Sequence, residues 1–296
     1  MLAGLAAAES AGWAQMQSRT YAALWQRATD QATSNSTGAR VVVLEIESGK
    51  LLASVHLSEA SRTLATPGST LKPLILYFAL KSGRWDPQLR VACGRRMRIG
   101  NHQLNCSHPE TDPMDAEQAL TWSCNSYFAA MAESLTAEEL RKALSERNLL
   151  AATGLRDGES VADFRLPHSR EQIQLAALGV EGIRVTLPEL AEAYRSLAIE
   201  LAAHPQTMAT RTVHAGLSAS ASFGMADAVA LGGVPVAGKT GTASAESGGT
   251  THGWFVGLVT AGSPRVVMAV YVPNGHGSDA AQVAANILAH SPLRKP

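Results

Sequence analysis

Ser69 and Lys72 are the first residues along this chain whose types and spacing suggest chemistry. Pro67-Gly68 favours a sharp turn, and Pro73 is tolerated best in the first turn of a helix, so both side chains are predicted to lie on one face at a helix start. A partly desolvated lysine has a lowered pKa and can take the proton of a serine hydroxyl, which makes that hydroxyl a nucleophile. By itself the pair also fits a capping serine followed by a surface lysine.

Ser123 and Asn125 form a second candidate pair, directly after a predicted helix over Ala116 to Trp122. A hydroxyl and an amide two residues apart can point the same way from an irregular turn. The hydroxyl could relay a proton, and the amide could bind a substrate carbonyl and hold the lysine. Taken alone, the pair equally fits a helix cap followed by a turn asparagine. Cys124, between them, is interpreted as a small buried packing residue.

Lys239, Thr240, Gly241 and Thr242 form a third group, inside a strand-like segment. Lys239 and Thr240 offer a cation and a hydroxyl to a substrate carboxylate. Gly241 is expected to let a ligand backbone approach the strand edge closely, so that an extended peptide could pair with it as an added strand. An edge strand with a solvated lysine is the alternative for this group alone.

The elements that must position these groups are strands at both ends of the chain and helices between them. The predicted strands are 41–46, 51–56, 234–244, 252–260 and 265–273, and the last element is a helix over 278–290. One sheet must therefore be assembled from both chain ends, with the helical middle as an insertion or second lobe. This order predicts an α+β fold.

Composition excludes some classes of function. The 296 residues are 46% hydrophobic, and 25 basic residues balance 25 acidic ones, so the chain lacks the basic field that nucleic-acid binding needs. A membrane-spanning helix needs about 18 or more consecutive apolar residues, and no such run exists. Leu2 to Ala8 is apolar but short, which leaves open a signal segment cleaved near Ala14 or an ordinary helix start over 14–32.

Together and in this order, the three groups are the signature of penicillin-binding proteins and class A β-lactamases. The sequence resembles the transpeptidase domain of penicillin-binding proteins over most of its length. The segments that carry the resemblance are 41–53, 67–73, 119–128, 178–198, 239–241 and 253–257.

The resemblance implies a fold with an antiparallel sheet flanked by helices and an all-helical second lobe. We expect a single transpeptidase-like domain over 1–296, in which the α/β lobe comprises residues 14–85 and 205–296 and the helical lobe residues 86–204.

The resemblance also implies roles for the candidate residues. Ser69 is expected to be acylated by the D-Ala-D-Ala end of a peptidoglycan stem peptide, with release of the last D-Ala. The backbone N–H groups of Ser69 and Thr242 would form the oxyanion hole. The other implied roles are base for Lys72, proton relay and substrate clamp for Ser123 and Asn125, and carboxylate binding for Lys239 and Thr240, next to Gly241.

The expected partners are peptidoglycan stem peptides, β-lactam antibiotics and other proteins of wall synthesis or remodelling. No cofactor and no metal is expected, and no nucleic acid is expected to bind. Because D-Ala-D-Ala peptides lie outside the cytoplasm, we expect an exported protein, in the periplasm or at the outer wall surface.

Two other functions use the same chemistry. A serine β-lactamase would need a carboxylate for deacylation. Glu159 lies 34 residues after Asn125, a suitable distance, but its flanking residues do not match and it is interpreted as a loop carboxylate. A β-lactam sensor domain is the second alternative. The sequence does not separate transpeptidase from carboxypeptidase activity.

The three cysteines, an odd number, do not indicate whether the protein works in an oxidising or a reducing compartment. Cys93 and Cys106 flank a predicted hairpin around Gly100-Asn101, and a disulfide between them is expected if Gly94 supplies a bulge. Free thiols are the alternative. A zinc site with His102 and His108 is a third interpretation, although the spacing matches no common zinc pattern. The nearby Arg95, Arg96 and Arg98 are interpreted as solvated surface charge.

Overall fold

The computed structural model describes residues 19–34, 38–109, 112–244, 249–262 and 264–294. Within these ranges the strands are β1 (Arg40–Glu45), β2 (Leu51–Val55), β3 (Arg96–Ile99), β4 (His102–Asn105), β5 (Asp163–Phe164), β6 (Ile183–Arg184), β7 (Ala237–Ser244), β8 (Thr251–Val259) and β9 (Val266–Val272). The helices are α1 (19–33), α2 (Leu57–Ala60), α3 (Lys72–Lys81), α4 (Ala116–Trp122), α5 (Asn125–Ala132), α6 (Ala137–Ser145), α7 (Arg170–Ala177), α8 (Leu187–Ala203), α9 (Met208–Ser222) and α10 (Gly277–His290). Short 3-10 turns cover Gly68–Leu71 and Asp227–Gly232.

The central sheet contains five antiparallel strands in the order β2-β1-β9-β8-β7. β1 and β9 are β-branched runs that are buried on both faces, which is why they occupy inner positions. The predicted α+β fold, with an antiparallel sheet built from both chain ends, is confirmed.

Alternate residues of β1 enter separate hydrophobic cores on the two faces of the sheet. Val42 and Leu44 pack with residues of α3 and α8, whereas Val41 and Val43 pack with α10 and Trp25 of α1. This alternation is the period of two that a strand imposes on its side chains. The sheet is therefore packed on both faces, and its two edge strands are β2 and β7.

The middle of the chain is mainly helical but contains two small antiparallel ladders, β3 with β4 and β5 with β6. An all-helical second lobe is therefore not confirmed, and the proposed division into lobes at residues 85 and 205 stays a prediction. Part of the predicted helix start, 14–18, and the apolar segment Leu2 to Ala8 lie outside the described residues. Among the helices that the structure describes, none is long and apolar enough to cross a membrane.

Candidate active site

Ser69 lies in the 3-10 turn Gly68–Leu71, and Lys72 is the first residue of α3. Pro73 occupies the first turn of α3, as the sequence predicted, because a missing N–H costs least there. The Tyr194 hydroxyl of α8 donates a hydrogen bond to Thr70 O at 2.8 Å and ties this turn to the helix behind it. The serine is half-buried, and the lysine has no exposed surface.

Backbone packing fixes the residues just before Ser69. Gly68 has φ 55°, its N–H donates to Gly179 O at 3.0 Å, and a Cβ added to Gly179 would collide with the backbone of Gly68. Only glycine fits such an approach without displacing its neighbour. A Cβ on Gly241 would lie 2.6 Å from Pro67 O, so this glycine accommodates the nucleophile turn itself. The sequence had instead predicted that the backbone of a ligand would approach Gly241.

Lys72 links the nucleophile turn to the opposite side of the site. Its Nζ donates to Ser123 O at 2.7 Å, to Asn125 Oδ1 at 2.7 Å and to Ser123 Oγ at 3.2 Å. Burial lowers the pKa of Lys72 to about 7, and the nearby Cys106 thiol opposes part of this shift. The lysine is therefore neutral in a large fraction of molecules near pH 7 and can accept a proton.

Ser123 and Asn125 lie at a break between two helices. Ser123 caps the C-terminus of α4 with φ 57° and ψ 36°, and Asn125 is the first residue of α5. A left-handed serine is uncommon and is maintained only where surrounding contacts impose it. Here those contacts include the Asn125 amide, which donates to Asn105 O in the β3–β4 hairpin at 3.1 Å. The predicted helix over Ala116 to Trp122 is confirmed as α4.

Lys239, Thr240, Gly241 and Thr242 lie on β7, which pairs only with β8 among the described strands. Lys239 is fully buried and donates to Thr240 O at 3.0 Å. Burial lowers its pKa well below the ordinary value, and the positive charge of Lys72 adds to the effect. A bound anion would restore the charged form of Lys239, because an opposite charge favours ionisation.

These segments surround one cleft of about 220 Å³. Its lining includes six of the predicted residues: Ser69, Ser123, Asn125, Thr240, Gly241 and Thr242. Lys72 reaches the cleft through its bonds to Ser123 and Asn125, and the backbone of Thr242 lies against Gly68, with Thr242 O 2.9 Å from where a Gly68 Cβ would be. In the described part of the chain, no aspartate or glutamate lines the cleft.

Comparison with known families identifies this arrangement. A profile of the penicillin binding protein transpeptidase domain matches residues 39–290. The chain belongs to this family. Penicillin-binding protein transpeptidase domains act on peptidoglycan and bind β-lactams. The resemblance inferred from the three groups of residues is thereby confirmed.

Solved structures support the same fold. The transpeptidase domain of penicillin-binding protein 3 from Burkholderia pseudomallei matches with a TM-score of 0.78 at 21% identity, over 95% of this chain and 97% of that one. A peptidoglycan glycosyltransferase from Burkholderia ambifaria matches with a TM-score of 0.76 at 20% identity, over 95% and 98%. A structure described as a peptidoglycan synthase complex matches with a TM-score of 0.74 at 20% identity, over 90% and 61%.

The cysteines do not pair as predicted. Cys93 is bonded to Cys124, with Cα atoms 6.3 Å apart, and Cys106 is a buried free thiol. The expected Cys93–Cys106 bond is wrong because the β3–β4 ladder ends at the pair Arg96 and Asn105, so Cys93 is not held opposite Cys106. Instead, the break between α4 and α5 brings Cys124 to the base of the hairpin, a contact that sequence spacing does not show.

Glu159 lies away from the cleft lining. Its carboxylate accepts hydrogen bonds from the Thr153 hydroxyl and the Gly154 N–H, both at 2.6 Å, and so closes its own loop.

Trp254 supports the nucleophile turn, a role that the sequence did not indicate. Its Nε1 donates to Thr66 O at 2.9 Å, next to the nucleophile turn.

Proposed function

We propose that the protein is a serine D,D-transpeptidase or D,D-carboxypeptidase that acts on D-Ala-D-Ala stem peptides through an acyl-enzyme on Ser69. The observation that carries this proposal is the position of Lys72: a buried amine with a pKa of about 7, bonded to Ser123 and Asn125 at a cleft that exposes the Ser69 hydroxyl. A neutral amine that begins the helix directly after the turn of a half-buried serine suits general-base activation.

Lys72 begins the reaction in its neutral form. The neutral amine has two hydrogens, which it donates to Ser123 O and Asn125 Oδ1, both at 2.7 Å, and its third bond, to Ser123 Oγ at 3.2 Å, is donated only in the ammonium form. The lone pair is then available to take the proton of Ser69 Oγ as that oxygen attacks the carbonyl of the penultimate D-Ala. When the peptide C–N bond breaks, the departing nitrogen receives a proton by way of Ser123, and an ester on Ser69 remains.

The charge that develops on the attacked carbonyl oxygen needs hydrogen-bond donors. The backbone N–H groups of Ser69 and Thr242 are suited to this because Gly68 and Thr242 are packed backbone against backbone. The substrate carboxylate would lie near Lys239 and Thr240 on β7, where its negative charge favours the ammonium form of a buried lysine. An amine acceptor or water then takes the acyl group from Ser69.

A β-lactamase is the second candidate function, but the described cleft has no carboxylate that could activate water for deacylation. Glu159 is occupied by its own loop. An ester formed with a β-lactam should therefore persist, because the tethered leaving group blocks water and no dedicated base activates it.

The substrate also defines the place of action. D-Ala-D-Ala peptides lie outside the cytoplasm, so we infer export to the periplasm or the outer wall surface. Other wall-synthesis proteins are proposed as partners, since one structural neighbour is described as part of a peptidoglycan synthase complex.

A labelled penicillin tests the nucleophile. It should leave a covalent adduct on the peptide that contains Ser69, and Ser69→Ala should abolish the adduct while the fold stays intact, because neither the 3-10 turn nor α3 has a side-chain cap hydrogen bond to lose. Ser107→Ala is the matched control, because Ser107 also lines the cleft. Labelling that survives in Ser69→Ala, or that maps to another residue, would refute the assignment.

Defined stem peptides test the reaction. Release of D-Ala in water indicates carboxypeptidase activity, whereas transfer to an added amine indicates transpeptidase activity. If neither product forms from D-Ala-D-Ala peptides, while penicillin still labels Ser69, the substrate proposal is wrong and the sensor interpretation gains support.

A further inference from the structure

Three cysteines and one histidine meet at the base of the β3–β4 hairpin, beside the cleft. The sulfur atoms of Cys93, Cys106 and Cys124 and a ring nitrogen of His108 all lie within 4.8 Å of one another. Three of these residues flank the hairpin, whereas Cys124 comes from the break between α4 and α5. The group therefore joins two separate parts of the chain.

Two distances within this cysteine–histidine cluster are close to those around a tetrahedral zinc ion. Cys93 Sγ lies 3.6 Å from Cys106 Sγ and 3.2 Å from His108 Nε2. Zinc binds sulfur at about 2.3 Å and nitrogen at about 2.0–2.1 Å, so two ligand atoms of one tetrahedron lie about 3.5–3.8 Å apart. One ion can be held by these four donors once the Cys93–Cys124 bond is reduced and its two sulfur atoms move apart.

His108 is prepared to act as a ligand. Its Nδ1 bonds to Pro109 O at 2.6 Å, and since a carbonyl oxygen only accepts, Nδ1 carries the proton. Nε2 therefore presents its lone pair, and it faces the sulfur of Cys93. This arrangement, with one ring nitrogen donating to a backbone carbonyl, is the usual way that a metal-binding histidine is oriented. The side chain is 1% exposed.

The surroundings of the sulfur atoms also suit metal binding. Cys106 Sγ accepts a hydrogen bond from Asn125 N–H at 3.2 Å, a contact that stabilises a thiolate. Cys124 is completely buried. A Cys93–Cys124 disulfide accounts for two of the four donors but leaves unexplained why a buried thiol and an oriented imidazole lie within the same small volume.

We propose that Cys93, Cys106, Cys124 and His108 bind one Zn²⁺ when the three cysteines are reduced. Each thiol loses a proton on binding, the imidazole binds in its neutral form, and no electrons are transferred. The Cys93–Cys124 disulfide is then a separate, metal-free form of the same residues. With four protein ligands the zinc site is closed, so the ion has a structural role and not a catalytic one.

The structural consequence concerns Ser123 and Asn125, the neighbours of Cys124. Zinc would hold the left-handed turn at Ser123 against the hairpin, and with it the two groups that bond Lys72. Only this positioning role of zinc rests on the proposed function, because Ser123 and Asn125 belong to the proposed catalytic cleft. The sequence had suggested zinc bound with His102 and His108 beside Cys93 and Cys106, in a spacing that matches no common zinc pattern, and Cys124 was not among the ligands considered.

The test is metal content and thiol count on the full chain, purified in the presence of a phosphine reductant and without chelators. After addition of ZnCl₂ and removal of excess metal, we expect one zinc per chain, measured by mass spectrometry. After removal of the reductant, denaturation with a chelator should then release three thiols, whereas the disulfide form gives one. Cobalt(II) added in place of zinc should give thiolate-to-metal absorption bands.

Variants make the assignment specific. Cys106→Ser and His108→Ala should lose the bound zinc, and Cys106→Ser should do so without removing the Cys93–Cys124 pair. His102→Ala is the matched control, because His102 lies on the same hairpin but pairs with Glu181 at 2.7 Å. It should retain one zinc per chain. Failure of the reduced chain to bind zinc, or equal binding by Cys106→Ser, His108→Ala and His102→Ala, would overturn the proposal.

Penicillin labelling of the same samples separates this inference from the proposed function. Labelling of Ser69 in a chain that binds no zinc contradicts only the metal site. Stoichiometric zinc in a chain that no penicillin labels contradicts only the acyl-enzyme. Faster labelling with zinc than without it supports the positioning role, and identical rates in the two forms contradict that role.

Discussion

On the sheet side of the cleft, backbone packed directly against backbone holds the nucleophile turn, whereas on the hairpin side it is mainly side chains that hold the Ser123–Asn125 turn. Gly68, Gly179 and Gly241 leave no room for a Cβ where the first turn meets its neighbours. The second turn depends on hydrogen bonds from Asn125 and on sulfur chemistry at Cys124.

This difference predicts which perturbations affect each side of the cleft. Glycine packing does not respond to metal, redox state or pH, but one added methyl group disturbs it. The hairpin side depends instead on the chemical state of its sulfur atoms. Lys72 lies between the two, since it begins α3 and donates its hydrogen bonds to Ser123 and Asn125.

Lys72→Met should have the largest effect, because it removes the polar link between the two sides while keeping a side chain of similar length. The Ser69 hydroxyl then lacks its base, and losses of this kind are about 10²–10⁴-fold in rate. The measurement is the rate of acylation by a labelled penicillin. Lys142→Met, on an exposed lysine paired with Glu146, is the control. Equal rates in the two variants would show that Lys72 is not the base.

Gly179→Ala tests the packing of the nucleophile turn. The new Cβ meets the backbone of Gly68, and φ is +69°. A left-handed alanine costs about 1–2 kcal/mol, and overpacking adds about 1–3 kcal/mol to the loss in free energy of unfolding. Gly83→Ala is a matched control, because Gly83 has the same φ of +69° with no atom within 4 Å of the added Cβ. Urea denaturation should show the larger loss for Gly179→Ala, and equal losses would contradict the packing argument.

The pH dependence of acylation tests the electrostatics between the two sides. Because burial lowers the pKa of Lys72 to about 7, the neutral base forms as pH rises through that value. Below the pKa the acylation rate should fall about tenfold per pH unit, and above it the rate should level off. A stopped-flow or labelling series from pH 5 to 9 measures this profile. A rate that stays constant across the series would contradict a titrating base.

Glu159→Ala should have the smallest effect on chemistry, since Glu159 belongs to neither side of the cleft. Loss of its bonds to Thr153 and Gly154 should lower stability by about 1–3 kcal/mol while the lifetime of the penicillin ester stays unchanged. The lifetime is measured by release of the label after excess drug is removed. A much longer lifetime in the variant would support the β-lactamase alternative.

The sequence predicted what local patterns determine. The Pro-Gly turn and Pro73 located the start of the helix after Ser69, and the helix before Ser123 was predicted with its observed bounds. Strands at both chain ends predicted the shared sheet. These features depend on residues close in sequence or on a simple order of elements.

Contacts between distant segments were not predictable in the same way. Cys124 pairs with Cys93 because a helix break meets a hairpin base, and Gly179 is required because its neighbour in space is Gly68. The region after α9 shows the same dependence on distant contacts. α9 ends at Ser222, Gly224 lies too close to Thr121 O to carry a side chain, and a separate 3-10 turn follows.

The pairing of β1 with β9 has a consequence for biosynthesis. Glu45 pairs with Val266, so one edge of the first hairpin waits for a partner that the ribosome makes more than 200 residues later. An unpaired strand edge invites association with other chains, and contacts so distant in sequence form slowly. Synthesis proceeds from the N-terminus, so the sheet cannot be completed until β9 has left the ribosome. The same delay applies to the packing of β7 against the nucleophile turn. Loss of the last strand should leave an aggregation-prone hairpin rather than a smaller working enzyme.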